Sequence, residues 1–279
     1  MRALLAAKQV SAPLNAEALR DQPNAIQRRL KPLLDLAEHS DYLVAGSAGG
    51  FVVGRGAFQI PRFIFMGPAG GGETMRLGLF AGLHGDETEG AEAVVEFLRE
   101  LETSPQIARG FHIYAYPICN PTGFVAGTRL NLSGEDLAEH FWRGSSQPEI
   151  YYLEREMGVL RFQGVVSLRT EKQGNSFNLN VSSDILNRAL VPPAIRATEK
   201  FLTGRAAETG GHAATHGNLP ASARPNFLTD TDELKPAPFE LHIGLPGKAS
   251  QPARVHGTVA ALKSVLDSYR SLVSISQNI

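Results

Sequence analysis

MRLGLFAGLHGDETEG, residues 75–90, is the stretch on which the fold turns. Its first half, Met75 to Gly82, is an almost unbroken apolar run, the pattern of a strand buried on both faces of a sheet. Its second half is polar and glycine-containing. GAEAVVEFLRELE (90–102) then places apolar residues at helical spacing. A second buried-strand candidate, FHIYAYPI (111–118), comes next and ends in CNPTGF. Strand, polar loop, helix and strand in that order make a βαβ unit. Groups that bind or react gather at the carboxyl ends of such strands, and both polar loops, 83–89 and 119–131, sit there.

The rest of the chain extends this unit in both directions. AIQRRLKPLLDLAE (25–38) spaces Ile26, Leu30, Leu33, Leu34 and Leu36 as a helix does, with Pro32 as a kink, so residues 1–40 read as an N-terminal helical segment. FVVGRGAFQI and PRFIFMG, within 41–67, read as strands of a hairpin or edge pair. PEIYYLEREMGVLRF (148–162) reads as a helix and GVVSLRTE (164–171) as a strand. VPPAIRATEKFLTG (191–204) reads as a helix with its prolines in the first turn. FELHIGL (239–245) is a strand, and ARVHGTVAALKSVLDSYRSLV (253–273) closes the chain as a helix. Residues 205–237 are rich in Ala, Gly, Thr, Asn and Pro without a period, which predicts a long loop. No repeat and no linker divides these elements. The expectation is one α/β domain over residues 1–279, with a mixed, mostly parallel central sheet flanked by helices.

Composition narrows the function. A net charge of −1 gives no electrostatic case for nucleic acid or an acidic membrane as partner. No stretch approaches the length of an apolar membrane span. MRALLAAKQV lacks the long apolar core and cleavage pattern of a secretory signal, so the cytoplasm is the expected compartment. The single cysteine, Cys119, allows no internal disulfide framework and no Cys-rich zinc site. A metal would have to be held by His, Asp and Glu.

GLHGDETEG at the end of a buried strand resembles the zinc-binding loop of the M14 zinc carboxypeptidases and of the related succinylglutamate desuccinylase and aspartoacylase group. HxxE alone is a weak pattern; its place after a buried strand and before a helix makes it specific. The resemblance implies that His84 and Glu87 bind one zinc ion. PICNPTGFVAGTRLNLSGEDLAEHFWRG resembles the segment carrying the family's substrate-binding arginines, and Arg129 matches the one that helps polarise the scissile carbonyl. GVVSLRTE resembles the strand carrying the third zinc ligand, and FELHIGLPGKASQPARVHGTVAALKSVL resembles the last strand and helix. The similarity runs over residues 75–270. It implies a zinc-dependent metallo-hydrolase of the carboxypeptidase or N-acyl-amino-acid amidohydrolase type, acting on a small-molecule or peptide substrate.

The departures from the pattern carry as much information. Ala138-Glu139 stand where the family has Asn-Arg, and Arg169 stands where it has the third zinc-binding His. His242 falls where it has the general-base Glu, in an alignment that needs two extra residues before Pro246. A catalytic zinc takes three protein ligands and keeps one position open. A guanidinium stays charged and repels the ion. His242 is therefore the candidate third ligand or the candidate base; one residue cannot easily serve as both. His140 is a weaker candidate ligand. Arg129, Glu139 and Arg169 are the candidate substrate-binding residues, and Glu139 and Arg169 are also candidates to pair with each other. Asp86 reads best as a cap on the following helix, and Cys119 as a small buried hydrophobe. Two functions follow. One is a hydrolase whose water is activated at His84, Glu87 and His242, with Arg129 at the oxyanion. The other is a catalytically inactive member that keeps the fold as a binding or regulatory module.

Overall fold

The apolar runs at 75–82 and 111–118 become two adjacent parallel strands at the centre of a seven-stranded sheet. The computed structural model describes residues 23–202 and 227–277. Residues 1–22 and 205–226, the outer part of the expected helical segment and most of the expected loop, lie outside the described residues. In chain order the elements are α1 (Asn24–Ala37), β1 (Leu43–Val53), β2 (Gly56–Met66), β3 (Met75–Phe80), α2 (Thr88–Thr103), β4 (Phe111–Tyr116) and α3 (Pro121–Ala126). They continue with α4 (Pro148–Leu160), β5 (Gly164–Glu171), β6 (Asn178–Val181), α5 (Asp184–Glu199), β7 (Phe239–Pro246) and α6 (Gln251–Gln277). The strand order is β1-β2-β4-β3-β5-β7-β6. The four inner strands β4, β3, β5 and β7 run parallel, while β1, β2 and β6 are antiparallel to their neighbours. The expected mixed α/β sheet is formed, with its parallel part confined to the centre.

Two apolar layers sandwich the sheet. One packs Leu77, Leu79, Val166, Leu168, Leu241 and Ile243 against α1, α2, α5 and α6. The other packs Ile64, Phe80, Tyr116 and Val165 against Ile150, Leu153, Met157 and Leu160 of α4. Each of these α4 side chains contributes about 1.5–3 kcal/mol by leaving water. A fully buried ionic cluster runs through this second layer. Arg62 on β2 reaches Glu156 of α4 at 2.7 Å, and the Tyr116 hydroxyl donates to the same carboxylate oxygen at 2.7 Å. The Tyr116 ring, meanwhile, packs in the core.

Several elements differ from their sequence reading. The hairpin is longer than expected, and FVVGRGAFQI straddles its turn: β1 starts at Leu43 and β2 at Gly56. Gly49 and Gly50 sit inside β1 beside a bulge at Ser47/Gly49, where a Cβ on Gly49 would fall 2.2 Å from the Tyr152 ring. Glycine there admits a close approach and does not break the strand. The helix expected from Val191 begins at Asp184, behind an N-cap hydroxyl from Ser183, so Pro192 and Pro193 lie inside it. β6, which pairs with β7, has no counterpart in the reading.

Candidate functional site

Backbone contacts bring the two polar loops together. Asn120 caps α3 by accepting from Gly123 N–H at 2.9 Å, and its amide donates to the Leu83 carbonyl. Cys119 N–H and Asn120 N–H bond to the carbonyls of Ala81 and Gly82. Gly82 has φ +62°, a conformation that favours glycine. Gly85 lies so close to the second loop that a Cβ would fall 1.9 Å from the Gly123 carbonyl carbon. Gly85→Ala is therefore expected to cost about 1–3 kcal/mol as an overpacking change and to displace His84. Urea denaturation measures the cost; an unchanged midpoint would contradict the close approach.

These contacts seat His84 between two carboxylates. Nδ1 lies 2.6 Å from Glu87 Oε1, and Nε2 lies 3.0 Å from Asp136 Oδ1. His84 is fully buried. Burial works to lower its pKa, but the bonds to Asp136 and Glu87 outweigh burial and raise it, against an opposing push from Arg169. A carboxylate on each nitrogen favours the imidazolium form, whose two N–H groups can donate to both. Glu87 Oε2 accepts from Thr170 N–H at 3.1 Å. Asp136 Oδ2 accepts both Nε (3.0 Å) and Nη2 (2.8 Å) of Arg129, a bidentate pair. Burial works to raise Asp136, yet His84 and Arg129 hold it well below the usual carboxylate range.

Arg169 lies against the same ring. Its Nη2 is 3.3 Å from Nδ1 and 3.1 Å from Nε2 of His84. A nitrogen almost equidistant from both ring nitrogens lies along neither lone pair, so the guanidinium lies across the imidazole. The guanidinium also lies over the Phe227 ring, 5.6 Å from its centroid. Among the described residues, His84, Arg129 and Arg169 meet the carboxylates of Glu87 and Asp136 here.

The donor set does not fit a catalytic zinc. His84 and Glu87 converge, but Asp136 holds the opposite nitrogen of the ring and faces away from Glu87. His242 does not complete the pair. It pairs across strands with Ser167, and its Nδ1 lies 3.2 Å from the Ser167 hydroxyl. The residue of β7 level with Arg169 is Gly244, which carries no side chain. Among the described residues, no three His, Cys, Asp or Glu group closely enough to hold a metal ion. Burial and the Arg169 charge push the His242 imidazole down to about 4. An imidazole so easily stripped of its proton is a weak base at neutral pH.

The remaining candidates separate. Glu139, in a single 3-10 turn (Leu137–Glu139), is half-buried and does not pair with Arg169, which is turned inward to His84. His140 bonds Glu135 at 3.0 Å. Asp86 does not cap α2; it bonds Lys172 at 2.7 Å. Glu87, the N-cap residue, makes no side-chain cap bond because its carboxylate is turned to His84 and Thr170. Cys119 is buried, and burial raises its thiol far above the ordinary value. Sequence reasoning passed over Asp136, Phe227 and Gly244. Only Asp136 left a signal, since it lies in the GEDL stretch quoted above.

Comparison with known proteins agrees with the fold and with the resemblance. Residues 73–153 match the Succinylglutamate desuccinylase/Aspartoacylase catalytic domain family. A metallo-carboxypeptidase from Burkholderia cenocepacia superposes with a TM-score of 0.67 at 13% identity, over 88% of this chain and 70% of that one. A metallo-carboxypeptidase from Pseudomonas aeruginosa, in complex with (2-guanidinoethylmercapto)succinic acid, gives 0.58 at 16% identity, over 87% and 69%. The ectoine utilization protein EutE (DoeB) from Ruegeria pomeroyi gives 0.54 at 14%, over 82% and 68%. At these identities the likeness is one of fold. No match was found among curated proteins. No described helix is long and apolar enough to cross a membrane.

Proposed function

We propose that this chain keeps the metallo-carboxypeptidase fold without a metal-activated water, and acts as a non-hydrolytic protein that binds a small molecule or peptide at the carboxyl ends of β3 and β5. The observation that carries this reading is Arg169 lying across a His84 already held by Glu87 and Asp136. A guanidinium keeps its charge at any pH the folded chain meets. Together with the imidazolium proton it supplies two unit charges beside Glu87, the charge a divalent ion would bring. An ion entering here would have to displace both against their repulsion.

The test is zinc loading followed by dialysis, with hydrolysis assays on N-acyl-amino acids and short peptides. The expected result is zinc well below one per chain and no hydrolysis beyond that of His84→Ala. One tightly held zinc per chain, with hydrolysis that His84→Ala abolishes, would overturn the proposal. That outcome would establish a second reading, a zinc hydrolase, which the convergence of His84 Nδ1 and Glu87 Oε1 at 2.6 Å favours.

A further inference from the structure

The segment 227–229 lies against the site, and five contacts from β5, the turn at 141–142 and β7 hold it there. Phe227 faces the Arg169 guanidinium at 5.6 Å and meets the Phe141 ring edge-on at 6.0 Å. The Leu228 side chain is fully buried, and its carbonyl accepts from Trp142 Nε1 at 2.7 Å. Thr229 donates twice, through N–H at 3.0 Å and through its hydroxyl at 2.9 Å, to one oxygen of Glu240 on β7.

Two features mark this attachment as more than packing. Glu240 is completely buried, and its second oxygen, Oε1, has no hydrogen-bond partner. A buried carboxyl group that spends one oxygen on a loop and leaves the other unmatched is a costly anchor. Trp142, which holds the strap from the other side, has φ 59°, and Glu154 accepts its backbone N–H. A bulky side chain in the left-handed region is strained, and such strain gathers where a segment must be held or released.

We propose that residues 227–229 form a lid on the site, with Phe227 as the cover over Arg169, Glu240 as the catch and Trp142 as the second clasp. A ligand carrying a carboxylate or other anionic group takes the face of the part-buried Arg169 guanidinium that Phe227 covers when Phe227 lifts. The stacking face that Phe227 gives up is then the one that the ligand takes. Lifting breaks three hydrogen bonds and exposes Leu228 while leaving the sheet intact, so it is a local opening. The proposal concerns access to the site and not its contents, so the zinc measurement above and the ones below fail separately.

Trp142 is the chain's only tryptophan, so its fluorescence reads the clasp directly. Thr229→Val removes one of the two bonds to the catch. Its expected effect is a red-shifted emission and stronger acrylamide quenching, with cooperative thermal unfolding retained. Reaction of the full chain with phenylglyoxal, followed by peptide mapping, reads the cover. Phe227→Ala is expected to speed modification of Arg169 by about tenfold or more, the shift produced by about 1.4 kcal/mol of opening free energy. Arg129, outside the lid, is expected to react at its wild-type rate and serves as the internal standard. Equal modification of Arg169 in wild type and Phe227→Ala overturns the lid. So does an unchanged Trp142 emission in Thr229→Val.

Discussion

Arg169→His is expected to bind one zinc ion per chain about a hundredfold or more tightly than the wild-type protein does. Structural zinc sites with four ligands bind with about 10–16 kcal/mol, or about 2.5–4 kcal/mol for each ligand, and every 1.4 kcal/mol is tenfold in affinity. The substitution acts twice in the same direction. It removes a permanent cation whose Nη2 lies 3.3 Å from His84 Nδ1, and it places an imidazole on the strand end beside Glu87. Zinc must still displace the proton from His84, so affinity is expected to rise with pH through the range where that imidazolium ionises. The His84 pKa is raised, which puts this range above that of an ordinary histidine. Chelator competition at several pH values measures both effects. Equal affinities in variant and wild type would show that position 169 does not face the His84–Glu87 pair. Hydrolysis is expected to remain absent in Arg169→His, because Gly244 leaves no base at that level of β7.

Glu156→Ala is expected to cost about 3–5 kcal/mol, the loss seen when one partner of a buried ion pair is removed. Arg62 is wholly buried, and Glu156 nearly so; the substitution takes the carboxylate from the buried guanidinium and the acceptor from the Tyr116 hydroxyl. The size of the loss comes from the orphaned groups rather than from the strength of the bonds. For that reason the triple substitution Arg62→Met, Tyr116→Phe, Glu156→Leu is expected to recover most of it, or to exceed wild type by about 1–4 kcal/mol, since the ion pair and the hydroxyl bonded to it are removed together. Urea midpoints at constant slope compare the two. A single substitution costing under about 1 kcal/mol would mean that water reaches this cluster.

The way these features appear in the sequence follows from their range. The βαβ core around residues 75–118 was legible because buried parallel strands leave continuous apolar runs and α2 leaves a 3.6-residue stripe. The His84–Glu87 pair was legible because its members lie three residues apart in one loop. α5 was misplaced because Pro192 and Pro193 read as a start signal, whereas Ser183 had already capped the helix. Asp86 and Glu87 were poor guides to the α2 N-terminus because their side chains bond Lys172, His84 and Thr170 instead. Local rules fail at sites where a side chain serves a distant partner.

By itself, then, the sequence determined the fold class, the pair His84 and Glu87, and the presence of a cation, Arg169, where the resemblance places a third ligand. These are properties of residue identity and short spacing. What surrounds His84 was decided only by the tertiary structure. Asp136 reaches it from 52 positions away, and Arg169 from 85. The strand register decided the question of His242 in the same way. Because side chains alternate and β5 pairs with β7 in a single register, Ser167 faces His242 and Arg169 faces Gly244. A histidine two residues before Gly244 belongs to a different level of the sheet, and no spacing in the sequence records that.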